Sequence, residues 1–303
     1  MPLQNFNFAR HTHLHDWAWA GEFSLCHSNG PIVNIAKQII QGLEKPITLV
    51  VPMSDGFSSD PNPGIARKGR EEFESTITEP NSIVGILCTR NFTDPRAFFM
   101  PLDDESFEKG VVNVVASRVS LPAWEDRKPI AYWRGCLSGG FAPTLRTQVV
   151  WNLYENPSAD VKLTRMHNMD PEHQGRLIFP DDTRFYDEVR GLDEHVKNKY
   201  IFIIDGNCIA SAHQWVFASG SVPIMVTHPD NEYWFKKYLK PMVHYVPIKY
   251  DLSDLTEKID WLVSNDIAAK RIAQNAMEFA QTILSTEFQH GYLLKEIRRV
   301  AGV

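Results

Sequence analysis

The chain reads as an α/β protein of two domains, and three observations lead there. Residues 200–204 form an uninterrupted apolar run rich in β-branched and aromatic side chains. A strand looks like this when a parallel sheet buries both its faces. Asp205-Gly206-Asn207 breaks the run with turn residues, and a helical pattern follows through Ile209, Ala212, Val216 and Phe217. Gly220 then ends the helix before a second buried run at 222–226. Strand, glycine turn, helix and strand make a βαβ unit, whose first turn presents bare backbone N–H groups at a helix start and so suits a phosphate. Third, 303 residues with 43% apolar content suffice for two cores.

Before this unit, the first thirty residues are aromatic and rich in histidine. His11, His13 and His15 alternate ahead of Asp16. That spacing suits either a metal site on one strand face or a surface segment with solvated imidazoles. Residues 31–43 carry Ile32, Ile35, Ile39 and Leu43 at helical spacing, with Pro31 in the first turn. Residues 47–51 read as a strand running into Ser54-Asp55-Gly56, and 83–88 as a third buried strand. Residues 89–109 look irregular, and the charged run Glu125-Asp126-Arg127-Lys128 marks a domain boundary.

The second domain opens with a strand at 129–133 that runs into Arg134-Gly135, followed by a loop containing Ser138. A helix starts near Thr144, with Arg146 in its first turn and Val149, Val150 and Leu153 as its buried stripe. Residues 161–163 make a short strand, and 170–190 a polar excursion. A capped helix is expected at 229–235, a last strand at 243–248, and helices from Asp251 to the end. The domains are thus 1–128 and 129–285, with a terminal helix over 286–303 that can pack back on the first.

Charge narrows the function. Lys and Arg number 31 against 37 Asp and Glu, a net charge of −6, which argues against a broad nucleic-acid surface. No apolar run reaches the roughly eighteen residues of a membrane span, and the N-terminus lacks the hydrophobic core of a signal peptide. A cytoplasmic protein is expected. Cys26, Cys88, Cys136 and Cys208 lie far apart with no CxxC, and are read as reduced thiols.

Three features converge on a diphosphate: Arg134 at a strand end, Arg146 at a helix start, and the turn from Gly206 to Ser211. An arginine fork matches phosphate oxygens two at a time. Arg146 opposes the helix dipole where it stands, which an intervening anion would explain. Each arginine alone also suits a structural ion pair. Asp55, on a loop at a strand's carboxyl edge, is a candidate general base, or simply part of an Asp-Gly turn.

The segments Trp133-Arg134-Gly135, Asp205-Gly206-Asn207, Gly220 to Ile224, Leu239 to Pro247 and Asp251 to Leu255 resemble glycosyltransferase family 90. That family holds protein O-glucosyltransferases, O-xylosyltransferases and fungal capsule-associated proteins. The resemblance implies a GT-B-like α/β fold, with two facing Rossmann-like domains, a cleft between them and a helical C-terminal tail. It also implies inverting transfer from a UDP-sugar, without metal or other cofactor, to a glycan or protein hydroxyl. Asp55 would deprotonate the acceptor. Arg134, Gly135, Ser138, Arg146, Asp205, Gly206, Asn207 and Ser211 would hold the donor. The family's arginine in its Ser-x-Arg run is replaced here by Ala212, with His213 beside it as a substitute donor contact. The alternative is a nucleotide-sugar-binding protein with weakened catalysis.

Overall fold

The apolar runs of the sequence become strands of parallel sheets, as burial on both faces requires. The structure is a computed structural model, and it describes residues 31–43, 47–50, 56–59, 67–75, 77, 81–101, 105–137, 144–164, 179, 183–206 and 209–303. The chain divides into two units. One is Met1–Gly110 with Asp230–Lys237 and Ile283–Val303; the other is Val111–Pro229 with Tyr238–Thr282. Residue 128 therefore lies inside the second unit.

In the first unit, β1 (Thr48–Val50) pairs in parallel with β4 (Ser82–Ile86), and β4 with β6 (Ala97–Phe99). Every residue of β4 is buried, and a side chain at Gly85 would collide with Met100. Helices Pro31–Gln41 and Thr286–Ala301 close a core of Ala36, Ile40, Leu49, Ile83, Phe98, Leu293 and Ile297. A second small sheet has β2 (Gly56–Ser58) between β3 (Arg67–Lys68) and β5 (Cys88–Arg90). Behind it Phe57, Phe73 and Phe92 pack with ring centroids 4.9–5.6 Å apart. Residues 89–109, expected to be irregular, instead supply β5, β6 and helix Glu105–Lys109. The expectation of reduced thiols also fails at Cys88, which is disulfide-bonded.

The second unit is one six-stranded parallel sheet. Its strands are β7 (Lys128–Gly135), β8 (Ala159–Thr164), β9 (Tyr186–Asp187), β10 (Asn198–Ile204), β11 (Val222–Val226) and, after an excursion, β13 (Val246–Ile248). Their spatial order is β13-β11-β10-β7-β8-β9. Thus β8 and β9 run outward on one side of β7, and β10, β11 and β13 on the other. This is the doubly wound Rossmann order, with its reversal between β7 and β10. The run at 200–204 sits at the centre, fully buried, paired with β7 on one side and β11 on the other. Helix Leu145–Leu153 shares a core with β8 through Val149, Val150, Leu153, Val161 and Leu163, and helices Leu255–Ser264 and Asp266–Thr282 add Ile259, Leu262 and Ile272.

The excursion corrects the helix expected at 229–235. Asn231–Tyr233 is β12, antiparallel to β5 in the first unit, with Asn231 and Tyr233 buried and Glu232 exposed. A period of two was present over only three residues, too few to read without the partner strand. Among the described residues no helix is long and apolar enough to cross a membrane.

Candidate anion site at the strand-order reversal

Ligands of doubly wound sheets gather at the carboxyl ends of the strands, where the strand order reverses. Here that point lies between Gly135–Cys136, leaving β7, and Ile204–Asp205, leaving β10. Arg146 spans it. Thr144 caps helix Leu145–Leu153 by accepting the Thr147 N–H at 3.3 Å, which sets Arg146 in the first turn. Its Nη1 donates to the Cys136 carbonyl at 2.9 Å, and its Nε and Nη2 donate to the Ile204 carbonyl at 3.3 and 3.1 Å. The guanidinium carbon lies 5.5 Å from the centre of the Trp133 ring, a cation–π distance.

All its oxygen partners are neutral carbonyls. No carboxylate among the described residues pairs with Arg146, so a full positive charge stands at the carboxyl edge of the sheet. Gly135 belongs to the same construction, because a side chain there would run into the Trp133 indole. On the β10 side, the Asp205 N–H donates to the Val226 carbonyl at 3.1 Å, and the buried Asp205 carboxylate accepts the Ala210 N–H at 3.2 Å. The turn through Gly206 is thereby tied at both ends.

Ser211 is exposed at the start of helix Ala212–Phe217, and its side chain makes no capping bond. His213 lies within that helix, only 1% exposed, with Nδ1 2.7 Å from the Ala210 carbonyl oxygen. Burial pushes its pKa below the ordinary histidine value. A neutral, enclosed ring does not present a cation at the sheet edge as an arginine at 212 would.

Arg134 is directed elsewhere. Its Nε donates to Asp187 at 2.7 Å, and its Nη2 donates to both oxygens of Asp160 at 2.9 and 2.8 Å. Nη1 donates to the carbonyls of Trp133 and Asp160 at 2.9 and 2.8 Å. With its side chain 4% exposed and all five N–H groups engaged, Arg134 is a structural ion-pair arginine joining β7, β8 and β9. The expectation that it grips a diphosphate gives way to that geometry.

The structure thus brings Gly135, Arg146, Asp205 and Gly206 together, with Ser211 and His213 following. Asp55, Ser138 and Asn207 lie outside the described residues, as do His11, His13, His15 and Asp16. Sequence reasoning missed the carbonyls of Cys136 and Ile204 as the seats of Arg146; no local pattern marks a main-chain acceptor. Trp234 and His244 are packing residues. Trp234 lies against Phe235 and Tyr292, and His244 against Phe279. Among the described residues no cluster of His, Cys, Asp and Glu could hold a metal ion.

Comparison with known proteins gives the family. The zebrafish (Danio rerio) protein O-glucosyltransferase 2 is 31% identical over 225 residues, covering 69% of this chain and 41% of the relative. Rat (Rattus norvegicus) protein O-glucosyltransferase 3 is 28% identical over 182 residues, covering 59% and 33%. Uncharacterized protein 179R of Invertebrate iridescent virus 6 is 43% identical over 101 residues, 31% of this chain and 8% of that one. The matches therefore span less than half the length of these curated relatives. Two solved structures show a loose likeness. A sucrose-phosphate synthase from Thermosynechococcus elongatus is 10% identical at a TM-score of 0.44, covering 82% of this chain and 57% of the other. A glycosyltransferase from Rickettsia africae is 12% identical at 0.44, covering 91% and 84%. The sequence model of glycosyl transferase family 90 matches residues 108–301, more than half of the chain, including all of the second unit. On that match, the chain belongs to glycosyl transferase family 90.

Proposed function

We propose that this chain is an inverting glycosyltransferase that moves glucose or xylose from a UDP-sugar to a hydroxyl of a glycan or protein, without a metal. The observation that carries the reading is Arg146, a cation with no carboxylate partner among the described residues, held by two carbonyls where the strand order reverses. Family membership and relatives named protein O-glucosyltransferase point the same way.

In this reading the diphosphate lies against Arg146, the strand end at Gly135 and the turn at Gly206. As the glycosidic bond to the leaving UDP breaks, negative charge grows on the diphosphate. A preorganised donor aimed at such charge contributes about 3–4 kcal/mol in the transition state. Asp55, outside the described residues, is the proposed base that takes the acceptor proton while the hydroxyl attacks the anomeric carbon from the opposite face.

A screen of UDP-sugars for UDP release, with and without glycan acceptors and with EDTA present, tests the proposal. Turnover with UDP-glucose or UDP-xylose that EDTA leaves intact supports it, and Asp55→Asn should keep UDP binding while losing transfer by orders of magnitude. A second reading, donor binding with weakened catalysis, is favoured by one observation. Position 212 holds alanine, and the neighbouring imidazole is enclosed. UDP binding with neither hydrolysis nor transfer would select it.

A further inference from the structure

At the far side of the second unit's sheet, β9 pairs with β8 only at Leu163–Tyr186 and Thr164–Asp187. The first four residues of β8, 159–162, have no outer strand among the described residues. A cavity of about 260 Å³ opens along it, lined by Tyr154, Asp160, Lys162, Thr183 and Arg184 as well as apolar neighbours. That is just below the ordinary range for drug-sized ligands, and so suits one small ring. The lining is polar and of mixed sign: a carboxylate, two cations, a hydroxyl and a phenol.

Trp151, on helix Leu145–Leu153, does not line this cavity itself but lies against Tyr154, which does. It is 54% exposed, the most exposed tryptophan among the described residues. Its ring centroid lies 5.4 Å from that of Tyr154. Behind it Phe179 and Phe185 stack nearly parallel, at 5.8 Å and 11° and at 6.0 Å and 9°. Core rings thus hold the indole flat while it presents apolar surface to water, an arrangement that suits the apolar face of a partner with polar edges.

The polar wall is fixed as well. Asp160 receives two hydrogen bonds from Arg134, at 2.9 and 2.8 Å, and has Lys162 Nζ at 3.6 Å. Arg134 is itself held by Asp187, which Arg190 holds in turn at 2.6 Å. A wall already ordered loses little freedom when a ligand arrives. The arginine expected at the diphosphate therefore braces this second place.

We propose that the cavity is an ancillary glycan subsite that takes one pyranose ring, its apolar face on Trp151 and Tyr154 and its hydroxyls on Asp160, Lys162 and Arg184. The cavity includes Tyr154 and Ala159, at the amino end of β8, whereas Arg146 works at the carboxyl strand ends. That the occupant is a sugar rests on the glycosyltransferase reading; the place itself does not.

The test follows the Trp151 indole N–H signal by NMR, assigned by Trp151→Phe, during titration with methyl glucoside, methyl xyloside and methyl glucuronide. A saturable shift with at least one pyranoside is expected. Trp151→Ala and Lys162→Ala, both at exposed or half-exposed positions, should each weaken that binding by about tenfold or more. A Trp151 signal that none of the three moves overturns the proposal, and so does binding that both substitutions leave intact. UDP affinity is measured in parallel. Loss of UDP binding with the pyranoside shift retained counts against the transferase reading alone, and the reverse counts against the subsite alone.

Discussion

Arg146 meets the carbonyl oxygen of Ile204 through two nitrogens, at 3.3 and 3.1 Å, although 58 residues separate them in the chain. The contact ties a helix start to the end of the central strand, and among the described residues no carboxylate pairs with the guanidinium. Because charge-assisted bonds to a ligand are typically worth about 1.5–3 kcal/mol, Arg146→Ala should weaken UDP binding by roughly 10- to 100-fold. Arg146→Lys, which cannot reach both carbonyls, should recover only part of it. Calorimetry with UDP on folded variants decides; an unchanged dissociation constant removes Arg146 from the site.

Arg134 should behave differently. Removing it takes the buried partner from Asp160 and Asp187, leaving them Lys162 at 3.6 Å and Arg190 at 2.6 Å, while the anion site keeps its own arginine. Breaking a buried pair typically costs about 3–5 kcal/mol, and the half-exposed Asp160 places Arg134→Ala near the lower end. Denaturant unfolding should register that loss, with UDP affinity in the surviving folded fraction close to the parent's. A large drop in UDP affinity without a stability change would reverse the assignment.

Gly220 has φ +73°, a left-handed conformation that costs other residues about 1–2 kcal/mol. A side-chain carbon there would also lie 2.8 Å from Arg127 Nη2. That guanidinium is not free to move: it donates to the Ser219 carbonyl at 3.0 Å, the Ser221 hydroxyl at 2.7 Å and the Pro122 carbonyl at 3.0 Å. Burial without an acidic partner lowers its pKa to about 10. Gly220→Ala should therefore lose about 2–3 kcal/mol in thermal or denaturant unfolding, through strain and displacement of Arg127 together. A loss within experimental error would show that Arg127 yields without cost.

Acid should weaken the first unit through Asp94. Arg96 donates to both its carboxylate oxygens at 2.8 Å, and Arg70 adds another bond at 2.8 Å. The Arg96 hydrogen bond is the main cause that lowers its pKa from 3.8 to about 2. A folded pKa below the unfolded one contributes stability that is present above about pH 4 and lost as pH falls towards 2. The expected loss is about 1–2 kcal/mol across that window, read by unfolding of the parent and of Asp94→Asn side by side. The substitution should start less stable and lose less on acidification; equal losses in both would assign the acid sensitivity to other carboxylates.

The sequence by itself determined the α/β class, the central βαβ unit, the family and the position of Arg146 at a helix start. These are local: an apolar run of five residues, a turn triplet and a helical stripe each identify themselves within a few turns of chain. Only the tertiary structure decided which arginine stayed available. Arg134 and Arg146 look alike in sequence, one at a strand end and one at a helix start. The first finds Asp160 and Asp187, 26 and 53 residues on, because parallel register sets β8 and β9 beside β7. The second finds carbonyls and, among the described residues, no carboxylate. Charge pairing depends on which distant strands lie alongside, and no residue's own neighbours in the chain carry that information.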